Sequence, residues 1–200
     1  PRRFGKSLFI DTLKELYEGN EPLFKGLAAE KQWDWSVKYP VIRFSFGKGH
    51  YDSAEYLHKN VMAQLSELDE QFGHESPYDT TPERLSSLIR HIKKQTDQRV
   101  VVLVDEYDKP ILDTLRDSEI AQINRDYLMG LYSIIKDSDG DIKFSFLAGV
   151  SKFSRGSLFS GLNNLIDITL DPRYSTLCGY TGQDIDTVFA AELEGLDRQR

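Results

Sequence analysis

Two short stretches, far apart along the chain, contain the residue types that bind nucleoside triphosphates. The first is Gly5-Lys6-Ser7, which an apolar helical pattern follows at once. It matches the second half of the phosphate-loop pattern G-x-x-x-x-G-K-[ST], whose first glycine would fall one residue before Pro1. Backbone N–H groups at the helix start and the positive end of the helix dipole would face a phosphate. We expect Lys6 to reach the β- and γ-phosphates and the Ser7 hydroxyl to bind Mg²⁺.

The second stretch is an acidic pair at the end of an apolar run. Residues 100–104, "VVVLV", are β-forming without polar alternation, which is typical of a strand covered on both faces. Asp105-Glu106 follows at the carboxyl end of this strand, where open α/β sheets bind their ligands. We expect Asp105 to hold the Mg²⁺ shell and Glu106 to accept a proton from the attacking water.

Each stretch also has an ordinary structural explanation. Lys6 and Ser7 would serve equally as the solvated start of a helix, and Asp105-Glu106 as acidic loop residues after a strand. Neither explanation accounts for both stretches occurring in this order in one α/β chain. Together they predict a nucleotide site, and the loop residues expected to contact the nucleotide are Arg3, Phe4, Gly5, Lys6, Ser7 and Leu8.

Other polar residues have less specific signals. Ser151 follows the fourth predicted strand, where a polar side chain would contact the γ-phosphate or the attacking water, and the alternative is a turn serine. Arg155 would act as an arginine finger or form a surface ion pair. Asp108 precedes a Lys-Pro pair, which favours a helix start over a ligand. The four histidines share no metal-ligand spacing.

Helices and strands alternate in a way that positions both stretches. The spacing of apolar residues predicts helices over residues 5–17 and 118–136 and further helices beginning near residues 52, 81 and 182. Strands are predicted over residues 41–46, 100–104, 142–150 and 166–170. The first and last of these strands alternate apolar and polar residues, which indicates edge strands with one solvated side. Asp52 and Glu55 are placed as a capping box for the second helix.

This alternation predicts an α/β fold, namely a three-layer P-loop NTPase sandwich around a mostly parallel sheet. With a catalytic glutamate the expected strand order is 5-1-4-3-2, which puts the two alternating strands at the edges and the unbroken apolar strand inside. Strand 1, which would lead into the phosphate loop, is expected to be missing from this fragment. We assign residues 1–181 to the N-terminally truncated core and residues 182–200 to the start of a C-terminal helical segment.

Composition argues against several other classes. The net charge of −7 opposes nucleic-acid contact by this segment. No run approaches the roughly 20 apolar residues that cross a bilayer, so we expect no membrane contact. The single cysteine, Cys178, excludes an intrachain disulfide and favours a reducing, cytoplasmic location.

Four segments resemble those of a known family. "PRRFGKS", "VDEYDKPI", "FLAGVSKFSRGSLFSGLNNL" and "GYT" are similar to the prokaryotic AAA-ATPase-like family, and the resemblance covers nearly the whole chain. It implies ATP as the nucleotide and Mg²⁺ as the metal. It also implies Lys6 and Ser7 as the phosphate-loop pair, and Asp105 and Glu106 as the metal-binding and catalytic acids. Members often carry a PD-(D/E)xK nuclease-like domain, so an effector domain of the same gene product is the implied partner.

The sequence favours Mg²⁺-dependent ATP hydrolysis that drives or regulates an attached effector domain. Two alternatives stay open: a regulatory module that binds ATP without hydrolysing it and, with less support, a P-loop phosphotransferase. A glutamate beside the aspartate at the strand end favours water as the phosphoryl acceptor. The sequence leaves open the oligomeric state and the source of any arginine finger.

Overall fold

The computed structural model describes residues 4–150, 158–159 and 164–194. Within these residues the helices are α1 (Lys6–Tyr17), α2 (Ala28–Gln32), α3 (Ala54–Phe72), α4 (Thr81–Thr96), α5 (Lys109–Leu112), α6 (Ser118–Asp137) and α7 (Gly182–Thr187). The strands are β1 (Val41–Ser45), β2 (Val100–Asp105) and β3 (Ile142–Ala148). Short 3₁₀ helices span Glu21–Phe24, Asp139–Asp141 and Pro172–Tyr174.

The three strands form one parallel sheet in the order β1-β2-β3. The alternating strand β1 lies at the edge and the unbroken apolar strand β2 lies in the centre, as their patterns predicted. The α/β class and the parallel sheet are therefore confirmed. The complete order 5-1-4-3-2 and the full P-loop sandwich stay predictions.

One face of the sheet packs against α3, α4 and α6, and we call it the three-helix face. Every second residue of β1 and β2 points into this core, and the helices supply leucine, isoleucine and valine at helical spacing. The predicted apolar positions of α3 and α4 lie here. Its buried members include Ile42, Phe44, Val102, Val104, Leu57, Leu65, Leu88, Ile89, Leu128 and Tyr132.

The opposite face packs against α1, and we call it the α1 face. Its buried cluster is smaller and combines Ile10 and Tyr17 of α1 with Val41, Val101 and Leu103 of the sheet. The remaining residues of β1 on this face are polar, and Arg43 is half-buried rather than fully solvated. The side of β1 that the alternation assigned to water is therefore partly covered by a helix.

The predicted strand over residues 166–170 is wrong. These residues lie in an irregular segment ending in a turn, and Ile166 and Leu170 are exposed. The Asp167 carboxylate accepts a hydrogen bond from the backbone N–H of Thr169 at 3.0 Å. Such a local bond favours a turn over an extended ladder, and the sequence alternation does not reveal it.

Two local predictions about helices also need correction. The N-cap of α3 is Ser53, whose hydroxyl accepts a hydrogen bond from Tyr56 N–H at 3.2 Å, so the capping box of Asp52 and Glu55 is wrong. Helix α7 begins at Gly182 as predicted, with a capping box between Thr181 and Asp184. It ends at Thr187 and buries none of its residues, so its apolar residues do not form a buried face.

None of the helices among residues 4–150, 158–159 and 164–194 has both the length and the apolar content that a membrane crossing requires.

Candidate functional site

The phosphate-loop residues form the start of α1. Gly5 occupies the N-cap position with φ 84°, in the left-handed region that glycine adopts without strain. Its carbonyl accepts the first helical hydrogen bond, from Phe9 N–H at 2.8 Å. Glycine offers no side chain to cap the helix, and the first turn contains no acidic residue. This helix start is therefore suited to an anion.

The direction of α1 decides which end of the sheet this anion would meet. The Phe9 ring contacts the Phe146 ring with centroids 5.4 Å apart, and Tyr17 stacks on Phe144 at 5.5 Å. As α1 advances, its contacts thus move back along β3. The helix runs antiparallel to the strands, so its N-terminus lies at the carboxyl edge of the sheet, where β2 ends in Asp105.

Asp105 is held at this edge in an unusual environment. Asp105 is in register with Ser45 of β1 and Ala148 of β3, and it is 4% exposed. Among the described residues, Arg43 forms its ion pair, with Nη2 3.9 Å from Oδ2. The other oxygen, Oδ1, is buried and has no hydrogen-bond partner in this part of the chain. A buried carboxylate oxygen without a partner is costly, so a ligand at Oδ1 would stabilise the site.

Glu106 has a strained backbone. Its φ of 53° lies in the left-handed region, which costs a residue other than glycine about 1–3 kcal/mol. The side chain is half-buried and packs against Gly47, just after β1: a Cβ at position 47 would lie 3.6 Å from the Glu106 carboxyl carbon. Strain of this kind is often found at functional sites.

A second network joins the loop after β1 to α5, next to Glu106. Asp113 accepts hydrogen bonds from Tyr51 N–H at 3.2 Å and Lys109 Nζ at 2.5 Å, and His50 Nδ1 lies 3.5 Å away. Although burial raises the pKa of Asp113, the hydrogen bonds from Lys109 and Tyr51 outweigh it and hold the pKa below its ordinary value. Burial raises the pKa of the Tyr51 hydroxyl, and the nearby charges of Asp113 and Glu106 add to that rise.

Comparison with known proteins identifies the family of the chain. A family model described as "Predicted AAA-ATPase" matches residues 1–159. The chain belongs to this family. The match contains both the start of α1 and the carboxyl end of β2, so membership supports nucleotide binding by the domain described above.

A relative extends beyond the chain. A protein of Azotobacter chroococcum mcd 1, named "Uncharacterized protein in vnfD 5'region", is 56% identical over 198 residues, which are 99% of this chain and 38% of that protein. The AAA-ATPase-like chain therefore spans 38% of the length of this relative. No solved structure matches the chain significantly.

The donors at the carboxyl edge fit a magnesium ion that arrives with a nucleotide. The fit rests on the orphaned oxygen Oδ1 of Asp105 and on the chemistry of the donor set, a carboxylate with the Ser7 hydroxyl. Within residues 4–150, 158–159 and 164–194, no cluster of three or more histidine, cysteine, aspartate or glutamate side chains could hold a metal. Mg²⁺ usually binds one or two protein carboxylates and completes its shell with phosphate oxygens and water.

The other residues predicted to bind the nucleotide differ in their exposure to solvent. Phe4 and Leu8 are exposed beside the helix start, and the Phe4 ring lies against Gly179, where a Cβ would be 2.9 Å from Phe4 Cδ1. Lys6 is half-buried and Ser7 is exposed, both in the first turn of α1. The predictions for Arg3, Ser151 and Arg155 lie outside the described residues.

Asp108 has a role at the edge that sequence reasoning missed. It precedes α5, as predicted, but its side chain is fully buried and forms no helix cap. Its Oδ2 instead accepts a hydrogen bond from Val150 N–H at 2.9 Å, which ties the end of β3 to the segment after β2. Gly149 makes this approach possible, since a Cβ there would lie 2.7 Å from the Asp108 carboxyl carbon.

Charge partners farther apart in sequence were missed as well. Arg43 contacts Asp11 of α1 and faces Asp105, and its only signal in the sequence is a charge on the polar side of an alternating strand. On the three-helix side, His74 Nδ1 lies 2.7 Å from Asp69 Oδ1 and links the end of α3 to α4. Ser87 and Arg84, both on α4, complete this network through hydrogen bonds to His74 and Asp69.

Proposed function

We propose that this chain is an ATP-binding P-loop domain that hydrolyses ATP with Mg²⁺ and drives or regulates an attached effector domain. The observation that carries the proposal is the direction of α1. Because α1 runs antiparallel to the strands, the helix start with Lys6 and Ser7 faces the same edge of the sheet as Asp105 and Glu106. Membership of the AAA-ATPase-like family supports ATP as the nucleotide.

Each side chain then has a role that its position allows. Lys6 would neutralise the β- and γ-phosphates, aided by the first backbone N–H groups of α1. Ser7 and Asp105 would hold Mg²⁺, which supplies neutralisation of the phosphate oxygens when bound. Asp105 is suited to this role because its Oδ1 is buried and lacks a hydrogen-bond partner among the described residues.

Glu106 would act as the general base in this proposal. Its side chain is half-buried against Gly47, and the residue follows Asp105 directly. It would therefore lie beside the phosphates, while Asp105 would be the metal ligand. It would orient the attacking water and accept its proton as the water attacks the γ-phosphorus. Ser151, which follows β3 in the sequence, would contact the γ-phosphate or that water.

The greater length of the relative supports the proposal of an attached effector. The chain spans 38% of that protein, which leaves room for further domains there. Members of the AAA-ATPase-like family often carry a nuclease-like domain, so such a domain would be the first candidate partner in this gene product. ATP turnover would then be a switch for the effector, in the cytoplasm.

The decisive experiment measures ATP binding and phosphate release by the full-length gene product and its Glu106→Gln and Lys6→Ala variants. We expect Glu106→Gln to keep ATP binding while turnover falls about 10²–10⁴-fold, because the general base is lost. Lys6→Ala should lose binding. Glu70→Gln removes an exposed carboxylate from α3 and serves as the matched control.

Each of the other outcomes would revise a specific part of the proposal. Turnover at the normal rate in Glu106→Gln would show that another group is the base. ATP binding without phosphate release in the unmodified protein would favour the regulatory module. Equal and negligible binding by the unmodified protein and Lys6→Ala would overturn the nucleotide site itself.

A further inference from the structure

Arg43 joins the two halves of the proposed site. It is the charged residue of β1, and its side chain is 30% exposed. One end of its guanidinium, Nη1, contacts Asp11 Oδ1 on α1, and the other, Nη2, lies 3.9 Å from Asp105 Oδ2 at the end of β2. One side chain thus connects the helix that begins with the phosphate loop to the strand that ends in the acidic pair.

The geometry around Asp105 gives its two oxygens different roles. Oδ2 faces the Arg43 guanidinium at a distance longer than a hydrogen bond, so the attraction is electrostatic. Oδ1 has no hydrogen-bond partner among the described residues although it is buried. A residue that attracts Oδ2 therefore also fixes the direction in which Oδ1 points.

The same arginine also contacts α1. Asp11 lies one turn after Ser7, and residues four apart share a face of a helix. Because Arg43 contacts Asp11, it lies on the side of α1 that also carries Ser7. One guanidinium thus contacts Asp105 itself and the helix face that carries Ser7, the two proposed protein ligands of Mg²⁺.

We propose that Arg43 is a positioning residue for Mg²⁺ binding, which sets Asp105 Oδ1 and the Ser7 hydroxyl in the arrangement that the nucleotide-bound ion needs. This inference rests on the proposed function. Groups that orient metal ligands from behind commonly change metal affinity 10–100-fold when they are removed. Arginine suits the role because its planar fork offers two separate donors to two carboxylates, whereas lysine offers one ammonium group.

The direction in which Mg²⁺ affinity changes when Arg43 is removed distinguishes positioning from simple electrostatic repulsion. Arg43 is a positive charge near a site for a cation, and removing it would favour Mg²⁺ if Asp105 and α1 kept their positions. Positioning predicts weaker Mg²⁺ binding after the same change. A purely structural role of Arg43 would lower the stability of the protein and leave the Mg²⁺ dependence unchanged.

The test titrates Mg²⁺ into the full-length protein with a fluorescent ATP analogue and measures nucleotide binding, with EDTA as the starting point. We expect Arg43→Gln to raise the half-saturating Mg²⁺ concentration about tenfold or more. Arg43→Lys should give a smaller rise, because it keeps the charge and loses the fork. Asp11→Asn should also give a smaller rise, because the attraction between Arg43 and Asp105 remains.

Arg90→Gln is the matched control. Arg90 lies on α4, and its Nη1 bonds Ser86 on the same helix, so its loss should leave the Mg²⁺ dependence unchanged. Thermal denaturation without nucleotide identifies any variant that fails to fold, and Arg43→Lys then decides in place of Arg43→Gln.

An unchanged or lowered half-saturating Mg²⁺ concentration in the folded Arg43 variant would overturn the proposal. This outcome is distinct from failure of the proposed function. If the proposed function fails, the unmodified protein would bind no nucleotide at any Mg²⁺ concentration and would not differ from Lys6→Ala. The proposed role of Arg43 would then be wrong together with the nucleotide site.

Discussion

The two faces of the sheet differ although the same strands build both. On the three-helix face the apolar residues continue to the carboxyl edge, as Val104 and Phe46 do in the buried core. In β1 and β2, the apolar residues on the α1 face end at Val41 and Leu103, and Arg43, Ser45 and Asp105 follow toward that edge. Alternate side chains of one strand therefore serve packing on one side and chemistry on the other.

This difference separates stability from function. The large apolar cluster on the three-helix face supplies most of the buried hydrophobic surface, and this surface stabilises the fold. It leaves the carboxyl edge free to hold a buried carboxylate with an orphaned oxygen and the strained backbone of Glu106. Changes on the first face should affect unfolding, and changes at the edge should affect nucleotide binding.

The largest expected effect comes from the three-helix face. Leu88 is fully buried on α4, and Leu88→Ala should lower the free energy of unfolding by about 2–5 kcal/mol, because it leaves a cavity. The same change at Leu27, which is 56% exposed, should alter stability by no more than about 0.5 kcal/mol. Denaturant unfolding measures both variants.

The affinity of the folded Leu88→Ala protein for ATP should stay unchanged. A clear loss of ATP affinity in the folded fraction would break the separation between the two faces.

A smaller effect is expected at the carboxyl edge from Gly149→Ala. The new Cβ would lie 2.7 Å from buried atoms of Asp108 and Tyr107, so these side chains must shift, at a cost of about 1–3 kcal/mol. Gly130→Ala, within α6, meets no atom within 4 Å and should instead stabilise the protein by about 0.5–1 kcal/mol.

Thermal denaturation of the two glycine variants shows whether each substitution raises or lowers the stability of the protein. ATP affinity should fall for Gly149→Ala alone. Equal stability changes in both variants would mean that the contact between Gly149 and Asp108 does not constrain this edge.

The smallest effect concerns the acid dependence of stability. The folded-state pKa of Asp113 is lowered, so its ion pair with Lys109 stabilises the protein above the unfolded-state pKa of about 4, and this contribution is lost as the pH falls through the folded pKa. Asp113→Asn should remove a contribution of about 1 kcal/mol or less near neutral pH.

Denaturant unfolding of both proteins from pH 7 to pH 3 tests this prediction. The difference in stability between the unmodified protein and Asp113→Asn should shrink as the pH falls. A difference that is constant over this range would contradict the role of the Asp113 charge.

Much of the fold was predictable because its strongest signals are local. Strand β2 and helices α3, α4 and α6 must each bury their apolar residues, whichever partner covers them. This requirement produces the unbroken apolar run of the strand and the helical spacing of the three helices. Gly5 at the start of α1 was predictable for the same reason, since its left-handed backbone is a property of one residue.

The rest depends on contacts between distant segments. No spacing in the sequence predicts that Arg43 pairs with Asp11 and Asp105. Residues 166–170 have the alternation of a strand, but a side-chain bond from Asp167 makes a turn instead. The strain at Glu106 likewise arises from the packing of its neighbours and has no signature in the sequence.

One measurement tests the central claim most directly, namely that the start of α1 and the end of β2 bind one nucleotide together. Mn²⁺ replaces Mg²⁺ in a complex with a non-hydrolysable ATP analogue, and the paramagnetic broadening of backbone amide NMR signals is mapped along the chain. We expect the strongest broadening at residues 5–8 and 105–106 and much weaker broadening at residues 96–100, at the opposite end of β2. Broadening centred on residues 96–100, or broadening at only one of the two predicted segments, would contradict it.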